Sequence, residues 1–397
     1  MNSDEAGRVI GAGGFGCVFY PSLRCKNKKM GKNLISKLSI KKEVVKEQAV
    51  NDRIKPIILK IKNHDKYFLI NKIFSCSPKP LNKKDLENFN KCVSLLNAGY
   101  TEENINKNLD KFDILNVPYG GEDLAEVLVK KGRVLKEDFI FFNKKFIDLL
   151  ENAIYPMNKL GLIHCDMKSS NLLIDMKKKE SEIKIIDWGL SNIIGTSGEI
   201  PLEIKYRNIQ FNLPFSTIIF TAGFKENYKL ILDKYANLSK EEITGSFLVN
   251  MIKFYFFDNS HMLYTINYYF PLIFGGDKLY TKFENSLIDN KGFIFIIKYL
   301  TKILIKYTNN KNELNEKKYF FDVFIKNVDI WGFLTLYLDI ILITKKDEVN
   351  KKPLINLIKK YLYSEKYAIN AIPENKLIED LKKLKLLSFN KTKKLIR

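Results

Sequence analysis

The sequence predicts an α+β protein of two lobes, a small strand-rich one followed by a large helical one. Apolar, β-branched and aromatic runs broken by glycines and polar stretches fill the chain up to Val117, the mark of short strands. From Asp138 onward apolar residues recur mostly at helical spacing. The length of 397 residues suits one large two-lobed domain or two to three ordinary ones, and 46% hydrophobic against 28% charged residues gives an ample core. No internal repeat is present.

Taken in order, Arg8 to Tyr20 reads as two β-rich runs around a glycine cluster, hence a hairpin. A short strand at about Leu34 to Ser39 precedes a helix from Lys41 to about Lys60, whose residues Val50, Ile54, Ile57 and Ile61 recur at helical spacing and so mark its inward face. Tyr67 to Phe74 reads as a strand. Lys79 to Asp110 is polar, Lys/Asn-rich and weakly helical, an insertion ahead of the strand Phe112 to Val117. Gly120-Gly121 break the chain. Helix follows from Asp138 to Leu160, then loop and strand around His164 to Ile174 and Ile183 to Ile186. An aromatic-rich helical stretch covers Phe215 to Asn327, helices continue over Asp329 to Thr344 and Pro353 to Leu362, and a basic helix covers Ile378 to Leu387. The lobes divide at residues 1–118 and 119–397.

Composition excludes several classes. The greasiest stretch, Trp331 to Thr344, is interrupted by Asp339, so no membrane span is expected. Met1-Asn2-Ser3-Asp4-Glu5 lacks the basic and apolar regions of a secretory signal. Five cysteines (Cys17, Cys25, Cys76, Cys92, Cys165) without a CxxC argue for a reducing, intracellular compartment, against a disulfide scaffold and, with three histidines, against structural zinc. Lys and Arg exceed Asp and Glu by 21, a field that attracts polyanions. Only six cations are Arg, however, and base-reading proteins favour Arg forks, so no specific nucleic-acid recognition is expected. Abundant Lys, Asn, Ile, Tyr and Phe all have AT-rich codons, which accounts for much of the excess. Most lysines between Lys376 and Arg397 read as a solvated helix face, with Lys391 to Arg397 as the candidate recruiter of acidic substrates.

The chemistry-bearing motifs begin with Gly11-Ala12-Gly13-Gly14-Phe15-Gly16-Cys17-Val18, which fits G-x-G-x-x-G-x-V. A Walker A loop would continue with Lys-Ser/Thr and a dinucleotide fold with a helix. The β-branched and aromatic continuation fits a glycine-rich hairpin over nucleotide phosphates, where missing Cβ atoms let backbone amides approach the anion. Next, His164-Cys165-Asp166-Met167-Lys168-Ser169-Ser170-Asn171 matches H-x-D-x-K-x-x-N ahead of the apolar Leu172-Leu173-Ile174. Sixteen residues after Asn171 stands Asp187-Trp188-Gly189, an acid at a strand end followed by an aromatic and glycine.

These residues resemble the eukaryotic-type protein kinases, with the catalytic loop H-R-D-x-K-x-x-N and the metal-binding D-F-G. The resemblance implies a two-lobed kinase-like fold with a long helical insertion at about 217–327, ATP with Mg2+ or Mn2+ as cofactors, and a protein substrate. It implies that Asp166 orients the acceptor hydroxyl and takes its proton, that Lys168 stabilises the γ-phosphate, and that Asn171 and Asp187 ligate the metal. His164 is given a structural part. Lys37, the single cation in Leu34-Ile35-Ser36-Lys37-Leu38, takes the place of the phosphate-anchoring lysine, and Glu47, with Glu43 as alternative, that of its helical partner. Val117 corresponds to the gatekeeper, backbone groups of Pro118 and Gly120 to the hinge, and Val18 and Leu173 to the residues that sandwich adenine. Val328-Asp329-Ile330-Trp331-Gly332 is similar to the D-x-W-x-x-G helix whose aspartate ties down the catalytic loop. Gly-Gly-Phe-Gly-Cys-Val-Phe, Ile-Ser-Lys-Leu, Lys-Tyr-Phe-Leu-Ile, Val-Pro-Tyr-Gly-Gly-Glu-Asp-Leu and Gln210 to Ser216 resemble the divergent serine/threonine kinases of giant nucleocytoplasmic DNA viruses, which implies host cytoplasm or virion as the location.

The departures are as specific as the matches. Cys165 replaces the arginine of H-R-D, the cation that usually holds a phosphorylated activation segment, so activity is expected without phosphorylation between Gly189 and Pro214. Lys205 and Arg207 are the cations available to take over that part. Trp188 replaces phenylalanine, and Asn212-Leu213-Pro214 stands where Ala-Pro-Glu is absent. Lys168 is the serine/threonine-type residue. Two other readings stand beside it: a pseudokinase scaffold, which would lack Lys37, Asp166, Asn171 or Asp187, and a kinase-fold enzyme acting on a lipid or small molecule.

Overall fold

The structure, a computed structural model, describes residues 7–13, 16–31, 33–177, 180–195, 198–257, 262, 264–275, 290–344 and 350–384, without the side chains of 254–257. It divides into two compact units, Met1–Glu122 with Leu173–Gly189, and Asp123–Leu172 with Leu190–Arg397.

The first unit is built on five antiparallel strands: β1 (Arg8–Gly13), β2 (Gly16–Tyr20), β3 (Leu34–Ile40), β4 (Phe74–Cys76) and β5 (Phe112–Pro118). Their order is β1-β2-β3-β5-β4. Helix α1 (Lys41–Ile58) follows β3 directly, with Glu43 in its first turn and Lys55 in its last, where each complements the helix dipole. Its buried residues are Val44, Ile54 and Ile58, whereas Val50 and Ile57 are only half-buried. Ile54 and Ile61 thus face inward as expected, while the buried stripe starts at Val44 and passes to one side of Val50 and Ile57. Tyr67 to Phe74, expected as a strand, contains the end of a short helix (His64–Tyr67) and a turn before β4. His64-Asp65-Lys66 start that helix, so Tyr67 ends a helical turn where a strand was expected to begin, and Lys72 at φ 64° turns the chain before β4.

Alternation along the strands gives the sheet two different faces. Cys17, Phe19, Leu38, Phe112 and Ile114 point into one apolar core. Leu81, Phe89, Cys92, Leu95, Ile105 and Leu109 of the polar insertion fill the rest of that core. The insertion is therefore part of the unit's packing, its apolar residues being too sparse to show as a pattern.

Within that packing the cysteines depart from expectation. Cys17 and Cys92 form a disulfide, as do Cys25 and Cys76, with Cα–Cα separations of 5.2 and 5.8 Å. Sequence spacing could not reveal them, because the pairs lie 75 and 51 residues apart. Cys165 is the free, buried thiol. Closing loops of this length stabilises a fold by roughly 2–4 kcal/mol. Reduction, or Cys17→Ser with Cys92→Ser, is expected to lower the first unit's melting midpoint; a midpoint indifferent to both would show that the thiols are not paired.

The second unit is helical. Lys136–Leu149 runs through a wide turn (Leu150–Ile154) into Tyr155–Lys159, matching the expected helix to Leu160. Its centre is the helix Ile325–Ile343, buried on every side from Asn327 to Leu338, which is why its sequence is apolar without a polar face. Helices Phe224–Lys234, Lys240–Phe257 and Lys291–Tyr307 occupy the aromatic-rich stretch as expected. The basic helix spans Glu374–Lys383, and its lysines are paired: Lys376 and Lys383 with Glu379, Lys382 with Glu151. Lys391 to Arg397 lie outside the described residues. A small antiparallel-sheet unit and a largely helical remainder make this a kinase-like α+β fold. Among the described residues no helix is long and apolar enough to cross a membrane.

Candidate active site

Each unit carries its own part of the expected residue set. In the first, Gly11 pairs with Val18, Gly13 with Gly16, and Gly16 with Ser39, so the glycines close the β1–β2 hairpin. Gly14 and Phe15 lie outside the described residues. A Cβ on Gly13 would stand 3.8 Å from Lys37 Cε, which puts the lysine stem beside the glycine-rich turn. Val18, Lys37 and Leu115 are direct neighbours across three strands, and Val117 is two residues further along β5. All four therefore share the sheet face opposite the disulfide-linked core. Lys37 Nζ donates to Glu47 Oε2 at 2.6 Å, while Glu43 is taken by Lys46 at 2.9 Å. Glu47 is thus the lysine's partner, and the pair is partly exposed.

Pro118 ends β5 and pairs with Leu34. Gly120 is buried against Leu69 and Leu173, whose Cδ1 atoms would be 2.7 and 2.8 Å from an added Cβ. Asp187 also belongs to this unit. The chain before it is pinned by Lys184 Nζ, which donates to the carbonyls of Asp65 and Lys66 at 2.8 and 2.9 Å, and the chain after it by the Phe68–Trp188 ring contact at 5.9 Å. Asp187 itself is exposed and sits at φ 63°, a left-handed conformation that aspartate adopts more readily than most non-glycine residues.

In the second unit everything converges on Asp166, which is 3% exposed. Its Oδ2 accepts from Asn171 Nδ2 at 2.8 Å and pairs with Lys168 Nζ at 3.0 Å. Its Oδ1 accepts from Arg207 Nη2 at 2.9 Å and Asn212 Nδ2 at 3.0 Å. Burial alone would raise this carboxyl, but Lys168, Asn212 and Arg207 outweigh it and hold the group below the usual aspartate range. Asn171 Nδ2 also donates to the Asp166 carbonyl at 2.8 Å, so its amide nitrogen is spent on the loop and Oδ1 is left as its lone-pair oxygen.

The loop is itself held from below. The fully buried Asp329 accepts from His164 N at 2.8 Å and Cys165 N at 2.9 Å. This fixes Cys165 at φ 59°. His164 Nδ1 accepts from Asp166 N at 3.2 Å. Gly332 lets the central helix approach the loop: an added Cβ would be 2.4 Å from the Met167 carbonyl oxygen. Arg207 and Asn212 as partners of Asp166 are what sequence reasoning missed. Asn212 is marked in the sequence by the Gln210 to Ser216 resemblance and by standing where Ala-Pro-Glu is absent, neither of which points to Asp166; Arg207 reads there only as a phosphate-binding cation.

Residues 96–215 match the protein kinase domain family, a span that includes the His164–Asn171 loop and Asp187-Trp188-Gly189. The chain is 34% identical over 82 residues to myosin light chain kinase A of Dictyostelium discoideum, covering 21% of this chain and 26% of that protein. It is 26% identical over 170 residues to serine/threonine-protein kinase ppk35 of Schizosaccharomyces pombe, covering 40% of this chain and 26% of that one. A third relative, a CDPK-related protein kinase of Daucus carota, is 26% identical over 140 residues, 31% of this chain and 23% of that one. These matches support a protein kinase. The chain spans about a quarter of the length of these curated relatives.

Proposed function

We propose that the chain is a serine/threonine protein kinase that transfers the γ-phosphate of ATP, with Mg2+ or Mn2+, to protein hydroxyls. The observation that carries the reading is Asp166, a buried carboxylate kept ionised, with Lys168 and Asn171 on one of its oxygens. Phosphoryl transfer asks a protein for positioning and charge neutralisation more than covalent chemistry. Asp166 Oδ2 receives the acceptor's proton, and Lys168, 23% exposed at its side chain, has the freedom to turn toward the transferred phosphate. Lys37, steadied by Glu47, anchors phosphates beside the glycine-rich turn. Asn171 Oδ1 and the exposed Asp187 carboxylate are hard oxygen donors, the type a small divalent cation takes. When bound, that cation would neutralise phosphate charge. Kinship with the divergent viral kinases belongs to the same proposal and rests on the segments quoted above.

Purified chain with labelled ATP and Mg2+, offered casein, histone, lipid vesicles and small metabolites, tests the reading. Label on serine and threonine is expected. Label on lipid or metabolite alone would replace it by the small-molecule reading, and failure to bind ATP at any Mg2+ concentration by the scaffold reading. Within it, Lys37→Ala is expected to lower turnover by roughly 100-fold, as loss of a phosphate-directed cation does. Glu47→Gln should lose less, and Glu43→Gln should match wild type; equal losses in both glutamate variants would show that the Lys37–Glu47 pairing is not what matters.

A further inference from the structure

The cation on Asp166 Oδ1 comes from far along the chain. Arg207 follows the short helix Leu202–Lys205, and its side chain is 5% exposed. A guanidinium offers five N–H donors in a rigid fork, yet here only Nη2 is engaged: it donates to the Cys165 carbonyl and to Asp166 Oδ1, both at 2.9 Å, and to Gln210 Oε1 at 3.2 Å. Nε and Nη1 are buried with no hydrogen-bond partner among the described residues. Burying a cation and leaving donors unmet both cost stability, so an arginine is an expensive choice for a position that serves the fold alone. The carboxylate paired with this buried charge is that of Asp166.

We propose that Arg207 is the positioning residue for Asp166: it clamps Oδ1 and the Cys165 carbonyl together, leaves Oδ2 as the oxygen that takes the proton, and docks its own segment on the catalytic loop without phosphorylation. The inference rests on the kinase reading. The two oxygens differ in how their cations are held. Lys168, on Oδ2, is several times more exposed than Arg207, on Oδ1, so only the Oδ2 cation can swing away. As the acceptor oxygen bonds to the transferred phosphorus and the bond from phosphorus to the departing nucleoside diphosphate breaks, the acceptor's O–H proton passes to Oδ2. Arg207 and Asn212 keep the carboxylate from rotating meanwhile. The arginine thus sits on the segment and reaches into the loop, and the segment needs no phosphate to be held there.

Wild type, Arg207→Gln, Arg207→Lys and Arg207→Ala are compared for transfer to casein and for stabilisation by Mg-ATP in a thermal melt. A misplaced reacting group costs about 100-fold, so Arg207→Gln should lower kcat by about that factor while KM for ATP stays within about threefold. Arg207→Lys should recover part of the rate. Guanidinium ion added to Arg207→Ala should raise its rate and leave wild type unaffected. Phosphatase-treated wild type should keep most of its activity. Arg207→Gln with wild-type kcat would overturn the inference. So would a loss that accompanies lost ATP stabilisation and answers neither to lysine nor to guanidinium, since that is what a fold-only residue gives. A fall of about 100-fold after phosphatase treatment, some 2.7 kcal/mol in transition-state terms, would overturn the phosphate-free docking. Folded wild type that transfers no phosphate at all would overturn the kinase reading first, and that outcome is read without any variant.

Discussion

Asp187→Asn is expected to abolish the stabilisation that ATP gives the protein in the presence of Mg2+, and to lower transfer by about 1,000-fold or more, roughly 4 kcal/mol of transition-state free energy. The substitution isolates charge from structure. Asp187 is exposed and sits at φ 63°, a left-handed conformation that asparagine tolerates as well as aspartate does. The backbone therefore has no reason to move, and as an exposed site it should change unfolding stability by less than about 0.5 kcal/mol. What is lost is the negative charge on an oxygen ligand suited to a divalent cation. Thermal melts across a Mg2+ series, with and without ATP, separate the two quantities. If Asp187→Asn still gains wild-type Mg-dependent stabilisation, this carboxylate does not hold the metal.

Asp329→Ala should produce the largest loss of stability. Asp329 is completely buried and accepts the backbone N–H groups of His164 and Cys165. Burial pushes its carboxyl above the usual aspartate range, and His164 with the two N–H groups offsets only part of that. Removing it leaves two buried donors without acceptors, at about 1–3 kcal/mol each. Cys165 also loses the contact that keeps it at φ 59°. A fall of roughly 10 °C in the second unit's melting temperature is expected, with transfer activity lost along with the loop. Asp329→Asn should do nearly as badly, because the two N–H groups meet different oxygens and the amide would set its NH2 against one of them. Gly332→Ala attacks the same junction from the helix, where a Cβ would stand 2.4 Å from the Met167 oxygen and 2.8 Å from Met167 Cβ. Urea unfolding with parallel transfer assays checks all three. Wild-type stability in Asp329→Ala would mean that the loop does not depend on this carboxylate.

What was legible in the sequence was what short-range spacing encodes. The resemblance named Val18, Lys37 and Val117 together, and the strand registers with a side-chain period of two put them on one face. The run from His164 to Asn171 names its own chemistry, since Asp166, Lys168 and Asn171 meet within five residues. Glu47 was reachable because it stands ten residues from Lys37, across one tight junction between β3 and α1. The Tyr67 to Phe74 strand failed for the complementary reason: a short apolar stretch has no period long enough to distinguish strand from turn.

The sequence by itself thus determined the kinase-like α+β class and brought Asp166, Lys168 and Asn171 together in one short loop. Only the tertiary structure decided what holds them. Arg207 reaches Asp166 across 41 residues, Asp329 reaches Cys165 across 164, and Cys17 meets Cys92 across 75. No local periodicity records such partners, because they are selected by the burial of unlike segments against one another. An arginine in a loop looks like a solvated cation until packing takes it out of water. Once buried, its charge requires a counter-charge, and the fold supplies Asp166.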